Sequence, residues 1–138
     1  MKQNLTLSIT SLLSILLMTF HMTHDTLRAK AGTAEAGGLT FIVVPILVVW
    51  LYGTLPLAER RSGHIIMLVG SLLALLMVVV HTRGPGDVVS GEFAKSAGAF
   101  FFVWTLMALG VTGMFSLILS VRGLLRFNSD YRGNRVSD

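Results

Sequence analysis

Four long apolar runs alternate with short polar segments along this chain. The first covers residues 5–22 without a charge and leads into Met22-Thr23-His24-Asp25. The second runs from Leu39 to Leu57 with Pro45 inside it, the third from His64 to Val80 and on to His81, and the fourth from Ser96 to Val121. Roughly 20 apolar residues cross the hydrocarbon of a bilayer as a helix. The pattern therefore predicts transmembrane helices over about 5–23, 39–57, 64–81 and 96–121. The fold class that follows is an all-α integral membrane protein, a four-helix transmembrane bundle occupying residues 1–124 as one domain. Residues 125–138 then form a basic cytoplasmic tail, predicted to be frayed at its end.

The segments between the runs read as connections. Asp25 to Gly38 is a polar loop with Arg28, Lys30 and Glu35. Ala58-Glu59-Arg60-Arg61-Ser62-Gly63 is a tight turn, and Thr82 to Lys95 is a loop built around Gly84-Pro85-Gly86. Pro45 predicts a kink near Phe41–Pro45, which a membrane helix tolerates when neighbours satisfy the freed carbonyl. A competing reading makes the first run a signal peptide, since Lys2 precedes it. The nearest small-x-small site, Ala29-Lys30-Ala31, lies beyond Asp25 and Arg28, and the apolar run is longer than a usual signal core of about 7–15 residues.

Composition agrees with lipid as the solvent. The 138 residues are 53% hydrophobic and 13% charged, with a mean hydropathy of +0.73; a soluble domain carries about twice that share of charge. Absence of cysteine excludes disulfides and thiolate metal sites. The net charge of +4 does not point to nucleic acid, because the arginines lie between and after the apolar runs, where membrane proteins place them. With the N-terminus inside, Lys2, Arg60, Arg61, Arg122, Arg126, Arg132 and Arg135 are internal, against Arg28, Lys30, Arg83 and Lys95 outside. The positive-inside rule then places both termini in the cytoplasm.

Residues 5–64 align with 65–124 without a gap. Ser11/Ser71, Leu12/Leu72, Leu13/Leu73, Leu16/Leu76, His21/His81, Gly38/Gly98, Phe41/Phe101, Val43/Val103, Gly53/Gly113 and Gly63/Gly123 all match. About a dozen identities occur where composition alone gives roughly five, the mark of a duplicated unit. Two helical hairpins of the same orientation are implied, a parallel repeat. Small and hydroxylated residues recur at helical spacing: Ser11, Ser14, Met18, His21 and Asp25 in the first helix; Ser71, Ala74, Val78 and His81 in the third; Ala108, Thr112, Ser116 and Ser120 in the fourth. Such stripes let membrane helices approach and hydrogen-bond, although each hydroxyl can also bond back to its own helix.

Candidate chemistry gathers at the outer interface. His21, His24 and Asp25 share one helix end, and His81 is the repeat partner of His21. These residues can be plain interfacial polar groups. They can also form a metal site of His21, His24, Asp25 and His81, with copper or another transition metal held by imidazole and by the thioethers of Met18, Met22 and Met77, and Asp25 orienting a ring. A third reading has His21 and His81 as axial ligands of haem b. No phosphate loop, serine-nucleophile elbow or zinc-protease motif is present. The apolar runs contain no Asp, Glu, Lys or Arg, which removes the usual marker of ion-coupled transport and leaves only transport of an apolar substrate. His64 reads as interfacial, Trp50 and Tyr52 as inner-leaflet anchors, Trp104 as a packing residue, and Phe100-Phe101-Phe102 as lipid-facing bulk. The leading expectation is a non-catalytic accessory, assembly or interaction protein of the membrane, without a cofactor. Its partners would be the lipid bilayer and a second copy or another membrane protein. The alternatives are a metal- or haem-binding redox protein and an apolar-substrate transporter.

Overall fold

The computed structural model describes residues 2–28, 34–83 and 98–134. It contains four helices and, among the described residues, no strand: α1 (Lys2–Arg28), α2 (Ala34–Thr54), α3 (Arg61–Arg83) and α4 (Ala99–Asn134). Three are long and apolar enough to cross a membrane, over Asn4–His24, Arg61–Thr82 and Phe100–Ser129. The apolar stretch of α2 within the described side chains, Phe41–Thr54, is shorter. The loop around Gly84-Pro85-Gly86, the segment from Ala29 to Thr33 and the last four residues lie outside the described residues, as do the side chains of Asp25 and Glu35.

No helix keeps the expected bounds: α1 runs on to Arg28 and α2 begins at Ala34, both inside the expected 25–38 loop, and the ends of α2 and α4 differ as well. α2 stops at Thr54 instead of Leu57, because Pro56 lacks an N–H and disfavours helical geometry in Leu55 before it. The last helical bond is donated by Leu55 N–H to the Leu51 carbonyl at 3.0 Å, and Arg60 N–H then closes the turn on the Leu57 carbonyl at 2.9 Å. α4 continues past Val121 to Asn134, through most of the expected tail, whose last four residues lie outside the described ones. Its apolar face persists there: Phe127 stands edge-on to His64 of α3, with centroids 5.3 Å apart. Gly123 lies directly against the same imidazole, where any Cβ would collide with it. Arg122 and Arg126 take the exposed side of this extension.

α4 packs extensively along both α1 and α3, whereas α2 leans on α3 and α1 and makes no contact with α4 among the described residues. The buried positions explain this arrangement. Leu7, Ser11, Ser14, Met18 and His21 are the buried positions of α1, in alternating steps of four and three. Phe102, Leu106, Leu109, Gly113, Ser116, Ser120 and Gly123 repeat the pattern in α4. That spacing averages 3.5 residues, the period that keeps one seam against a partner helix along its length. Over its described side chains, 41–54, α2 is apolar on every side and shows no such seam; Trp50, Gly53 and Thr54 are the buried residues among them. Met18, Trp50, Ala74 and Leu109, one from each helix, form the central core.

The small-residue stripes do face inward, but half of their hydroxyls bond within their own helix. Ser14 donates to the Thr10 carbonyl at 2.9 Å, Ser71 to Met67 at 2.6 Å and Thr112 to Ala108 at 2.9 Å. Ser11 instead bonds across to α2. Its Oγ accepts from Trp50 Nε1–H at 2.9 Å and lies 2.8 Å from Thr54 Oγ1, which in turn donates to the Trp50 carbonyl at 2.9 Å. Each hydroxyl has one proton, so the direction is fixed: indole to Ser11, Ser11 to Thr54, Thr54 to the backbone. Trp50 is therefore not an interfacial anchor; at 2% exposure it is part of the core. Trp104, expected to pack, is 62% exposed.

Candidate functional site

The histidines expected to converge do so. α1 carries His21 inward at the end of its seam, α3 carries His81 inward at the end of its own, and the two rings meet edge-to-face, with centroids 4.7 Å apart and planes at 82°. His81 Nδ1 is 3.0 Å from the Met77 carbonyl oxygen. A carbonyl only accepts, so Nδ1 carries a proton in this contact. His24, one turn beyond His21, reaches α4: a Cβ at Gly98 would stand 2.9 Å from its Nε2.

The centre of this cluster is Phe102, not a shared vacant point. Its ring lies 4.7 Å from that of His21, 5.3 Å from His24 and 5.5 Å from His81, centroid to centroid. Phe102 is buried, unlike Phe100 and Phe101 beside it, so only part of the triple-Phe run is outward-facing bulk. With Leu106 it forms a second apolar cluster that Val78 and Val103 complete.

These distances bear on what the cluster can hold. Metal–imidazole bonds are about 2.0–2.1 Å, so two rings on opposite sides of one metal have centroids more than about 6 Å apart. His21 and His81 at 4.7 Å are in direct contact, with no room for a porphyrin between them; haem would require α1 and α3 to separate. Among the described residues no group of three or more His, Asp or Glu side chains could hold an ion. The side chain of Asp25, the fourth member of the expected metal set, lies outside the described residues. Met18, Met22 and Met77 are buried or partly buried in the central core, where they pack against Trp50, Ala74 and Leu109.

His64 is 1% exposed and sits within the bundle, not at a free interface. Its Nδ1–H donates to the Arg60 carbonyl at 3.1 Å. Ser116 and Ser120 are buried in α4, and their Oγ atoms have no hydrogen-bond partner among the described residues. Sequence reasoning missed the roles of Phe102 and Trp50. The available signal was the step of four and three: Phe102 begins the buried series of α4, and Trp50 precedes Thr54 by one turn. No family model, curated protein or solved structure matches this chain.

Proposed function

We propose that this chain is an integral membrane protein whose four helices cross the bilayer, and that it serves as a non-catalytic accessory, assembly or interaction subunit. The supporting observation is an inverted distribution of polarity. Ser11, Ser14, His21, Ser71, Ser116 and Ser120 are fully buried, while Phe41 is 85% and Phe100 81% exposed, with exposed Val, Ile and Leu along every helix. Water would penalise that arrangement by about 25 cal/mol for each Å² of apolar surface left uncovered, whereas lipid does not. Hydroxyls packed between helices are the usual means of association in lipid.

In this reading both termini and the α2–α3 turn face the cytoplasm, the histidine cluster faces outward, and the hairpins α1–α2 and α3–α4 descend from one duplicated unit. Contact between His21 and His81, the matched ends of that repeat, supports the duplication. The more extensive packing of α4 than of α2 marks divergence between the copies. Reporter fusions at residues 28, 61, 90 and 135 test the orientation; a cytoplasmic reporter at 28 or 90 would invert it.

A redox protein holding a metal or haem is the second reading, favoured by one observation: the His81 ring meets that of His21 and is anchored through Nδ1 on the Met77 carbonyl, the kind of backbone contact that orients ligand histidines. An absorption spectrum and elemental analysis of the purified protein test it. A Soret band or stoichiometric metal, lost in H81A, would establish it.

A further inference from the structure

A cleft of about 370 Å³ runs along the outside of the α2–α3 hairpin, lined by Pro45, Ile46 and Val49 on one wall and Ile65, Val69 and Leu73 on the other. Trp50 and Gly70 form its floor, where the missing side chain of Gly70 admits the indole face. None of these side chains has an unused hydrogen-bonding group, since the one candidate, the indole N–H, is committed to Ser11. The occupant is thus hydrocarbon.

The charges at one end of the cleft narrow the choice further: a second copy in the same orientation would bring its own arginines to that level, whereas an anionic headgroup would neutralise them. The cleft approaches the α2–α3 turn, and Arg61 is one helical turn from Ile65. Arg60 and Arg61 are exposed there. The extension of α4 returns to the same end through Phe127 and His64, bringing the exposed Arg122 and Arg126. The N-terminus of α3 adds a positive dipole end. Glu59 is the acidic side chain described at this end, and cations outnumber it.

We propose that the α2–α3 cleft holds one acyl chain of an anionic phospholipid, whose phosphate is bound by Arg60 and Arg61. The proposal rests on the membrane-spanning reading and adds a lipid-specific site to it. Each arginine near an anionic surface contributes enough to favour such a lipid severalfold.

Native mass spectrometry of the full chain tests the site after reconstitution in vesicles of equimolar phosphatidylglycerol and phosphatidylcholine with matched acyl chains. One retained phosphatidylglycerol is expected, preferred over phosphatidylcholine by about tenfold. R60Q/R61Q should abolish the preference while preserving weak retention of both lipids. V69F, and independently V49F from the other wall, should fill the cleft and remove both, with helical content checked by circular dichroism. Equal retention of the two lipids by the wild type, a preference that survives R60Q/R61Q, or a dimer that disappears in V69F would each overturn the proposal. Alkaline extraction of the same vesicles separates the two levels. A chain that washes off refutes the membrane reading itself, whereas a chain that stays without lipid preference refutes the site alone.

Discussion

The indole N–H of Trp50 in α2 donates to the hydroxyl of Ser11 in α1 at 2.9 Å, and that hydroxyl is 2.8 Å from Thr54. This is the polar tie that holds the otherwise featureless α2 to the bundle. S11A removes both the acceptor for the indole and the partner of Thr54, leaving a buried donor unsatisfied at a cost of about 1–3 kcal/mol. W50F removes the donor together with its need but leaves part of the indole's core volume unfilled, so the hydrogen bond is read from the coupling and not from either single cost. Unfolding in mixed micelles measures both. A double-mutant cycle should give a coupling near 1 kcal/mol, within the range of about 0.6–1.7 kcal/mol seen between membrane helices. Additive single effects would disprove the tie.

Gly70 is required because the indole of Trp50 occupies the space of its side chain. G70A should destabilise the bundle by about 1–3 kcal/mol, as overpacking does. The penalty should vanish when Trp50 is replaced by Leu in the same molecule. A penalty that persists in W50L/G70A would place the clash elsewhere.

Phe102 fills the space among three imidazoles. F102A should cost less than the roughly 3–5 kcal/mol of a soluble core, since lipid lowers the transfer part and leaves the packing loss. It should also leave the spectrum colourless if the cluster is structural. Chromophore or metal uptake by F102A alone, absent from the wild type, would show that the phenyl ring blocks a latent site. Uptake by the wild type would instead support the redox reading.

The helix count and the approximate spans were legible in the sequence because apolar runs bounded by arginines and glycines have few other solutions. The convergence of His21 and His81 was legible too, from their places at the ends of two similar apolar runs and from the seam spacing. The faces of α2 and the start of α4 were not. α2 is apolar all round, so nothing but packing distinguishes Trp50 from Val48 or Tyr52, and the structure inverts the expected roles of Trp50 and Trp104. Phe100, Phe101 and Phe102 are chemically identical, and only the phase set by Leu106 and Leu109 sends the third inward. The continuation of α4 past Val121 depended on Phe127 meeting His64, a contact between residues 63 positions apart in sequence. The hydroxyl stripes marked buried faces but not bonding partners, because a serine can satisfy itself on the preceding turn, as Ser14 and Ser71 do.

The most direct test of the account uses the lack of cysteine in the chain, which makes each introduced thiol unique. Val48 and Val69 are well exposed on α2 and α3, and so is Arg61 beside the turn. In intact membrane vesicles, V48C and V69C should resist a water-soluble maleimide and react only after denaturing solubilisation, while R61C, cytoplasmic in the proposed orientation, should label at once in inside-out vesicles. Immediate labelling of V48C and V69C under those conditions would mean that water, not lipid, covers these helices, and would contradict the membrane-spanning bundle.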